Sequence, residues 1–263
     1  MIWRFIDSGK QDPYLNMAID EAILLICEEN ESFTPTLRIY CWEKPTVTIG
    51  INQDYREINY KFCEEVNIPI IRRITGGKSI YHENDLTFSI AIKKIALPLG
   101  LLQSYKILNS GFIFAFKFLG IDAEWTCEKK FLKKSSFCFA TSIKYEIAVG
   151  GKKILGAAQR RLKDSVLEQG SVPISLNREV CSKIIKEEIV DIVTVSEISK
   201  NVSFSDLKEA VLEGFKKALK IDFKKEDLSL KELKLAEKLK KEKYLNLNWN
   251  YKREWKDEGK IYI

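Results

Sequence analysis

Apolar positions along the chain alternate between a two-residue and a nearly four-residue period, and each change of period marks a boundary between elements. Ile2 to Ile6 reads as a strand, and Leu15 to Leu25 has helical spacing, with Asp12-Pro13 as its start. Thr36 to Trp42 and Thr46 to Ile51 follow as two β runs joined by Glu43-Lys44-Pro45. Tyr60 to Val66 reads as helix, Pro69 to Ile74 as strand, and Ser79 to Tyr81 and Leu86 to Ile92 as further strands, the last with clear alternation. A long helix is expected over Leu102 to Leu119. Tyr145 to Val149 and Lys152 to Arg160 flank Gly150-Gly151, a diglycine hairpin signal, and Val166 to Ile174 supplies one more strand. Beyond Ser175 the composition turns to Lys, Glu and Leu at helical spacing, notably Phe204 to Leu219, with a start signal at Ser205-Asp206, and Leu230 to Lys243. The pattern predicts an α/β protein of the α+β type. A mixed-sheet domain over residues 1–199 is followed by a helical C-terminal extension over 200–263.

With 45% hydrophobic and 30% charged residues among 263, the composition is that of a globular protein with a sizeable core. No segment approaches the ~18 uninterrupted apolar residues of a membrane span, and the N-terminus lacks the features of a secretion signal, so a cytoplasmic protein is expected. The six cysteines form no CxxC pair, and there is one histidine, His82, so neither a metal site nor another cofactor is expected. A net charge of +6 favours an acidic partner. No helix-turn-helix, zinc-finger or RNP-like pattern accompanies that charge, which speaks against nucleic acid, and much of the lysine excess fits solvated helix faces.

Three places carry candidate chemistry. Arg72-Arg73-Ile74-Thr75-Gly76-Gly77-Lys78 sets two arginines and a glycine pair between strands, where bare backbone N–H groups can approach a ligand. By itself the glycine pair reads more readily as a tight turn than as a site. Cys138 lies in a polar connection, where a thiol is easier to reach than one on an apolar helix stripe, and Cys127 is its competitor as a nucleophile. Lys153, just past the diglycine turn, would stabilise a thiolate if it projects into a cleft beside Cys138, and is otherwise an exposed strand lysine.

Four separated motifs together resemble the lipoate–protein ligase and octanoyltransferase superfamily. They are Asn16-Met17-Ala18-Ile19-Asp20-Glu21-Ala22, Arg72-Arg73-x-Thr75-Gly76-Gly77, His82-Glu83-x-x-Leu86-Thr87-Phe88-Ser89 and Gly151-Lys152-Lys153-Ile154-x-Gly156-x-Ala158-Gln159. The resemblance runs in the family's order from Met1 to about Arg253. Cys138-Phe139 ahead of Tyr145-Glu146-Ile147 is similar to the cysteine-dependent branch that moves octanoyl groups between carrier proteins. The resemblance implies the biotin/lipoate ligase fold and a transferase acting in lipoyl cofactor assembly. Octanoyl would pass from octanoyl-acyl carrier protein, through a Cys138 thioester, to a lysine of a lipoyl-domain protein. Acceptors of that kind are the glycine cleavage H protein and 2-oxoacid dehydrogenase E2 subunits. It further implies Cys138 and Lys153 as catalytic residues, and Arg72, Arg73, Thr75, Gly76, Gly77, Lys78, His82, Gly156, Ala158 and Gln159 as substrate-binding residues. Lys78 stands where the family usually has arginine or glycine, and Gln169-Gly170-Ser171 where His-Gly-Ser is typical; glutamine can hydrogen-bond but cannot carry a proton at neutral pH. An ATP-dependent lipoate–protein ligase of the same fold is the nearest alternative, and a non-catalytic module that binds acylated carrier proteins is another.

Overall fold

The computed structural model describes residues 1–98, 100–126, 146–186 and 191–255. Strand β1 (Ile2–Gln11) leads to helix α1 (Pro13–Glu29), whose start is fixed by Pro13 in the first turn and by the Asp12 carboxylate, which accepts from the Leu15 N–H. Strands β2 (Thr36–Trp42) and β3 (Thr46–Ile49), helix α2 (Tyr60–Glu65) and strands β4 (Ile70–Arg72), β5 (Ile80–His82) and β6 (Asn84–Lys93) follow. Next come helix α3 (Leu101–Phe118), strands β7 (Glu124–Trp125), β8 (Ile147–Val149), β9 (Lys152–Arg161) and β10 (Ser165–Ser175), and helices α4 (Arg178–Ile185), α5 (Val195–Ile198) and α6 (Phe204–Leu219). Strand β11 (Asp222–Lys225), helix α7 (Leu230–Leu239) and two short helical turns, Lys240–Tyr244 and Asn248–Lys252, complete the described chain.

Eight strands form one mixed sheet in the order β11-β1-β2-β6-β10-β9-β8-β7, parallel where β1 meets β2 and β11 and antiparallel through the centre, as the sequence pattern leads one to expect of the fold class. A smaller sheet, β4-β3-β5, carries the glycine pair between its outer strands. Strand alternation sends Leu37, Ile39 and Phe88 to one face of the large sheet, where they pack with Leu108, Phe112 and Phe116 of α3 and Val211 and Phe215 of α6. Tyr40, Ala91 and Leu167 face the other way, onto α1 and α7. A third core joins the small sheet to α2 and α4. Gly150 and Gly151, with φ of 56° and 76°, make the left-handed turn between β8 and β9 that the diglycine predicts.

The stretch beyond residue 199 does not stand apart from the sheet and is not wholly helical. Strand β11 pairs with β1, Ile2 opposite Asp222, and α6 lies against α3 inside the first core. Helix α6 begins at Phe204 rather than at Ser205-Asp206. Ser203 is its cap, in a reciprocal box with Asp206, because Phe204 already has its side chain facing the core that α6 covers.

One buried acid breaks the apolar pattern of the α3 face. Glu168 of β10 accepts from the Gln159 amide at 2.7 Å, and complete burial raises its carboxyl to about 8. An acid whose folded value lies above its unfolded value holds its proton longer when folded, so its contribution is full below about pH 4.5 and is lost as pH climbs through about 8. Glu168→Gln is therefore expected to flatten the decline in thermal midpoint between pH 5 and 8 while leaving the midpoint at pH 4.5 nearly unchanged. A decline of wild-type steepness in the variant would assign the slope to other groups.

Candidate active site

The glycine turn is clamped from both sides by arginine. Arg72 is buried, and its guanidinium donates to the carbonyls of Gly50, Ile51 and Gln53 and to those of Trp249 and Tyr251. Burial and the nearby Arg253 lower it to about 10, still a cation at neutral pH. Each of these bonds goes to backbone, so Arg72 ties the segments around Gly50 and Trp249 to β4. Arg73 donates to the carbonyls of Gly76 and Lys78 and to Thr48 Oγ1, which fixes the curvature of the turn. Gly77 adopts φ 87°, and a side chain at Gly50 would collide with its carbonyl oxygen, so the two backbones meet only as glycines. Lys78 reaches away to Glu57, 2.6 Å.

Thr75 donates to Gln169 Oε1 (2.8 Å), and Gln169 Nε2 donates to Asp20 Oδ2 (2.7 Å). Asp20 also accepts from Arg38, Tyr40 and Ser89, all buried. Gln169 thus occupies the place of the expected histidine as a two-way hydrogen-bonding bridge with no proton to exchange. His82 stacks on Trp42 with ring centroids 4.2 Å apart, and its two nitrogens contact Asp85 Oδ2 (2.7 Å) and Thr48 Oγ1 (3.0 Å). Met17, Tyr40, Trp42 and Ile80, with the polar Arg73 and Gln169, line a small cavity of about 20 Å³.

On β9, Ala158 lies opposite Gln169 and Gly156 opposite Ser171, on the same side of the sheet as the turn. Gln159, one residue on, is turned to the other face, where it meets Glu168, Ser104 and Arg161. The period of two separates it from the residues it was expected to join. Lys153 sits three residues before Gly156, roughly 10 Å along the strand. It is buried, not exposed, and Nζ donates to Glu146 Oε1 at 2.5 Å. The contact is a charge-assisted pair between two buried side chains, a geometry suited to electrostatic work.

Cys138, like Cys127, falls outside the described residues. Among the described cysteines, burial pushes Cys27, Cys63 and Cys181 up to about 12, and it raises the half-buried Cys41 as well. At neutral pH a thiol near 12 is ionised in about one molecule in a hundred thousand, too little for a nucleophile. The sequence reading did not assign Asp20, Asp85, Glu146 or Trp42 to the site. Their one legible signal was position, since Asp20 and Glu146 fall inside the quoted motifs and Asp85 stands three residues after the lone histidine.

The profile of the lipoyl protein ligase A/B catalytic domain matches residues 12–216. The chain belongs to that family. Octanoyltransferase LipM of Anoxybacillus flavithermus is 33% identical over 275 residues, covering 96% of this chain and 99% of that protein. LipM of Bacillus subtilis is 33% identical over 95% and 98% of the two chains. Among solved structures, the Thermoplasma acidophilum protein Ta0514 with bound lipoic acid superposes at a TM-score of 0.83, with 26% identity, covering 95% of this chain and all of that one. Lipoate-protein ligase A bound with ATP superposes at 0.82 with 24% identity, covering 95% and 99%, and so shares the fold.

Brief alkylation of the native protein at pH 8 should leave Cys27, Cys63 and Cys181 unmodified, with Cys138 the first labelled as read by peptide mass mapping. Early modification of any of the three buried thiols would mean that the packing around it opens on the time scale of the reaction.

Proposed function

We propose that this protein is an octanoyltransferase of lipoyl cofactor assembly. Octanoyl-acyl carrier protein is the donor, a lysine of a lipoyl-domain protein is the acceptor, and Cys138 carries the acyl group between them. The observation that carries this reading is the likeness to octanoyltransferases over nearly the whole of both chains. The buried Lys153–Glu146 ion pair, on the strand that also carries Gly156 and Ala158, supports it.

The chemistry requires no nucleotide. Cys138 thiolate attacks the thioester carbonyl, the carrier thiolate leaves and takes a proton, and one thioester replaces another at little free-energy change. The acceptor amine then attacks the acyl-enzyme, its lost proton passes to the departing Cys138 sulfur, and an amide forms downhill. The Lys153 ammonium favours the thiolate and, together with backbone N–H groups of the turn, the oxyanion that develops on the acyl oxygen. An eight-carbon tail buried in a dry pocket contributes on the order of 5 kcal/mol, at ~0.8 per methylene. The cavity beside Met17 and Trp42, about 20 Å³, has room for about one water and not for eight carbons, so its walls part as the tail enters. Met17, the unbranched side chain among them, adapts with least strain.

Intact-mass analysis after mixing with octanoyl-acyl carrier protein without ATP is expected to give a hydroxylamine-labile octanoyl adduct that is absent from Cys138→Ala. Acceptor labelling that appears only with ATP and free octanoic or lipoic acid would make the protein a ligase instead.

The net charge of +6 has its use in docking acidic carriers. Raising ionic strength from about 50 to 200 mM, over which the Debye length falls from about 14 to about 7 Å, should lower kcat/KM for the carrier several-fold with little change in kcat. A kcat/KM indifferent to salt would sink the electrostatic docking.

A further inference from the structure

Asp85 is the end point of a hydrogen-bond chain that runs through the His82 ring to Thr48. Its Oδ2 accepts from Ser171 Oγ (2.5 Å) and Thr87 Oγ1 (2.8 Å) and lies 2.7 Å from His82 Nδ1, while Thr87 itself accepts from the Trp42 indole (2.8 Å). With two hydroxyls already donating to this oxygen, it faces the ring as an acceptor, and the matching donor is a hydrogen on His82 Nδ1. On the far side of the ring, Thr48 Oγ1 lies 3.0 Å from Nε2 and receives an N–H from Arg73 at 3.3 Å. With a lone pair given to Arg73, the buried Thr48 hydroxyl has its hydrogen to donate, and His82 Nε2 is the acceptor within reach. A hydrogen on Nε2 would leave that hydroxyl without an acceptor and bring a second cation toward the guanidinium.

We propose that Asp85 is a positioning residue that holds His82 as the neutral Nδ1–H tautomer and, through Thr48 and Arg73, fixes the glycine turn. The chain runs from Asp85 through His82 Nδ1 and Nε2 to Thr48, then to the Arg73 guanidinium, whose other nitrogen donates to the carbonyls of Gly76 and Lys78. Trp42 stacked on the ring prevents it from turning over. Asp85 touches none of the reacting atoms. It sets the orientation of the turn whose amides face the acyl carbonyl, and this consequence rests on the octanoyl-transfer reading above, whereas the tautomer does not.

The chain has a single histidine, so selective ¹⁵N-histidine labelling reports one ring without assignment. The wild type at pH 7 should show a protonated-type Nδ1 and an unprotonated, pyridine-type Nε2. Asp85→Ala should transfer a large share of the hydrogen to Nε2, with Thr48 then accepting, and should slow octanoyl-adduct formation by about tenfold to a hundredfold, the usual size of such orienting effects, at unchanged KM for the carrier. Thr48→Val, which keeps Asp85 and the size of the side chain, should retain the Nδ1–H signal and still slow the adduct. A wild-type ring protonated on Nε2, or an Asp85→Ala ring with the wild-type signals, would overturn the assignment. Wild-type adduct rates in Thr48→Val would cut the link to the turn. Should Asp85→Ala fail to fold, the wild-type ring signals and Thr48→Val decide the matter. Should the wild type form no adduct at all, the transfer reading fails while the ring signals still decide the tautomer.

Discussion

The Arg38–Asp20 pair is the interaction on which the site depends. Both side chains are fully buried, an arrangement that costs more in lost hydration than bare attraction returns unless every remaining donor and acceptor is met. Here they are met. Arg38 donates to Asp20, to both the backbone and side-chain oxygens of Asn16, and to Ser8, while Asp20 accepts from Tyr40, Ser89 and Gln169. These partners come from β1, α1, β2, β6 and β10, so the pair cannot form unless five elements are in register. Gln169 passes the constraint to Thr75 and hence to the glycine turn. A pair of this kind gives less stability than apolar packing would, but it permits one arrangement of the elements around it.

A second set of contacts closes the site from the C-terminal side. The Glu21 carboxylate receives Lys243 and Tyr244, and Lys243 Nζ lies 4.0 Å from the centre of the Trp249 ring. Trp249 in turn donates from its indole to the Arg72 carbonyl while Arg72 takes up the Trp249 carbonyl. The two acids of the first motif, Asp20 and Glu21, therefore point into different networks. One holds the sheet and the other holds the C-terminal turns over the same helix.

Strands β1, β2, β6, β9 and β10 and the helices α1, α3 and α6 are legible because their apolar periods are long. Strand β11 is not, since Asp-Phe-Lys-Lys at a sheet edge has neither length nor alternation, and only its pairing with β1 makes it a strand. The site is legible as motifs but not as roles. Arg72 and Arg73 look equivalent in sequence, yet one serves carbonyls nearly 180 residues away and the other serves the turn beside it. Gln159 belongs to the same motif as Ala158 but faces the opposite core, a distinction that appears only once the register of β9 against β10 is known. Lys153, legible as a lysine after a hairpin turn, gains its character from burial beside Glu146, and local sequence does not report burial.

The pairing of β1 with β11 also orders events in time. A ribosome delivers Ile2 long before Asp222, and Glu21 long before Lys243. Until the last fifth of the chain has emerged, the first strand has one neighbour instead of two, and the acid of α1 stays in water. The turn that Arg72 ties to Trp249 is then anchored on one side only. Contacts so distant along the chain form late and slowly. Competence for chemistry thus waits on the C-terminal turns, because residues beyond 240 make the contacts that hold Arg72 and Glu21.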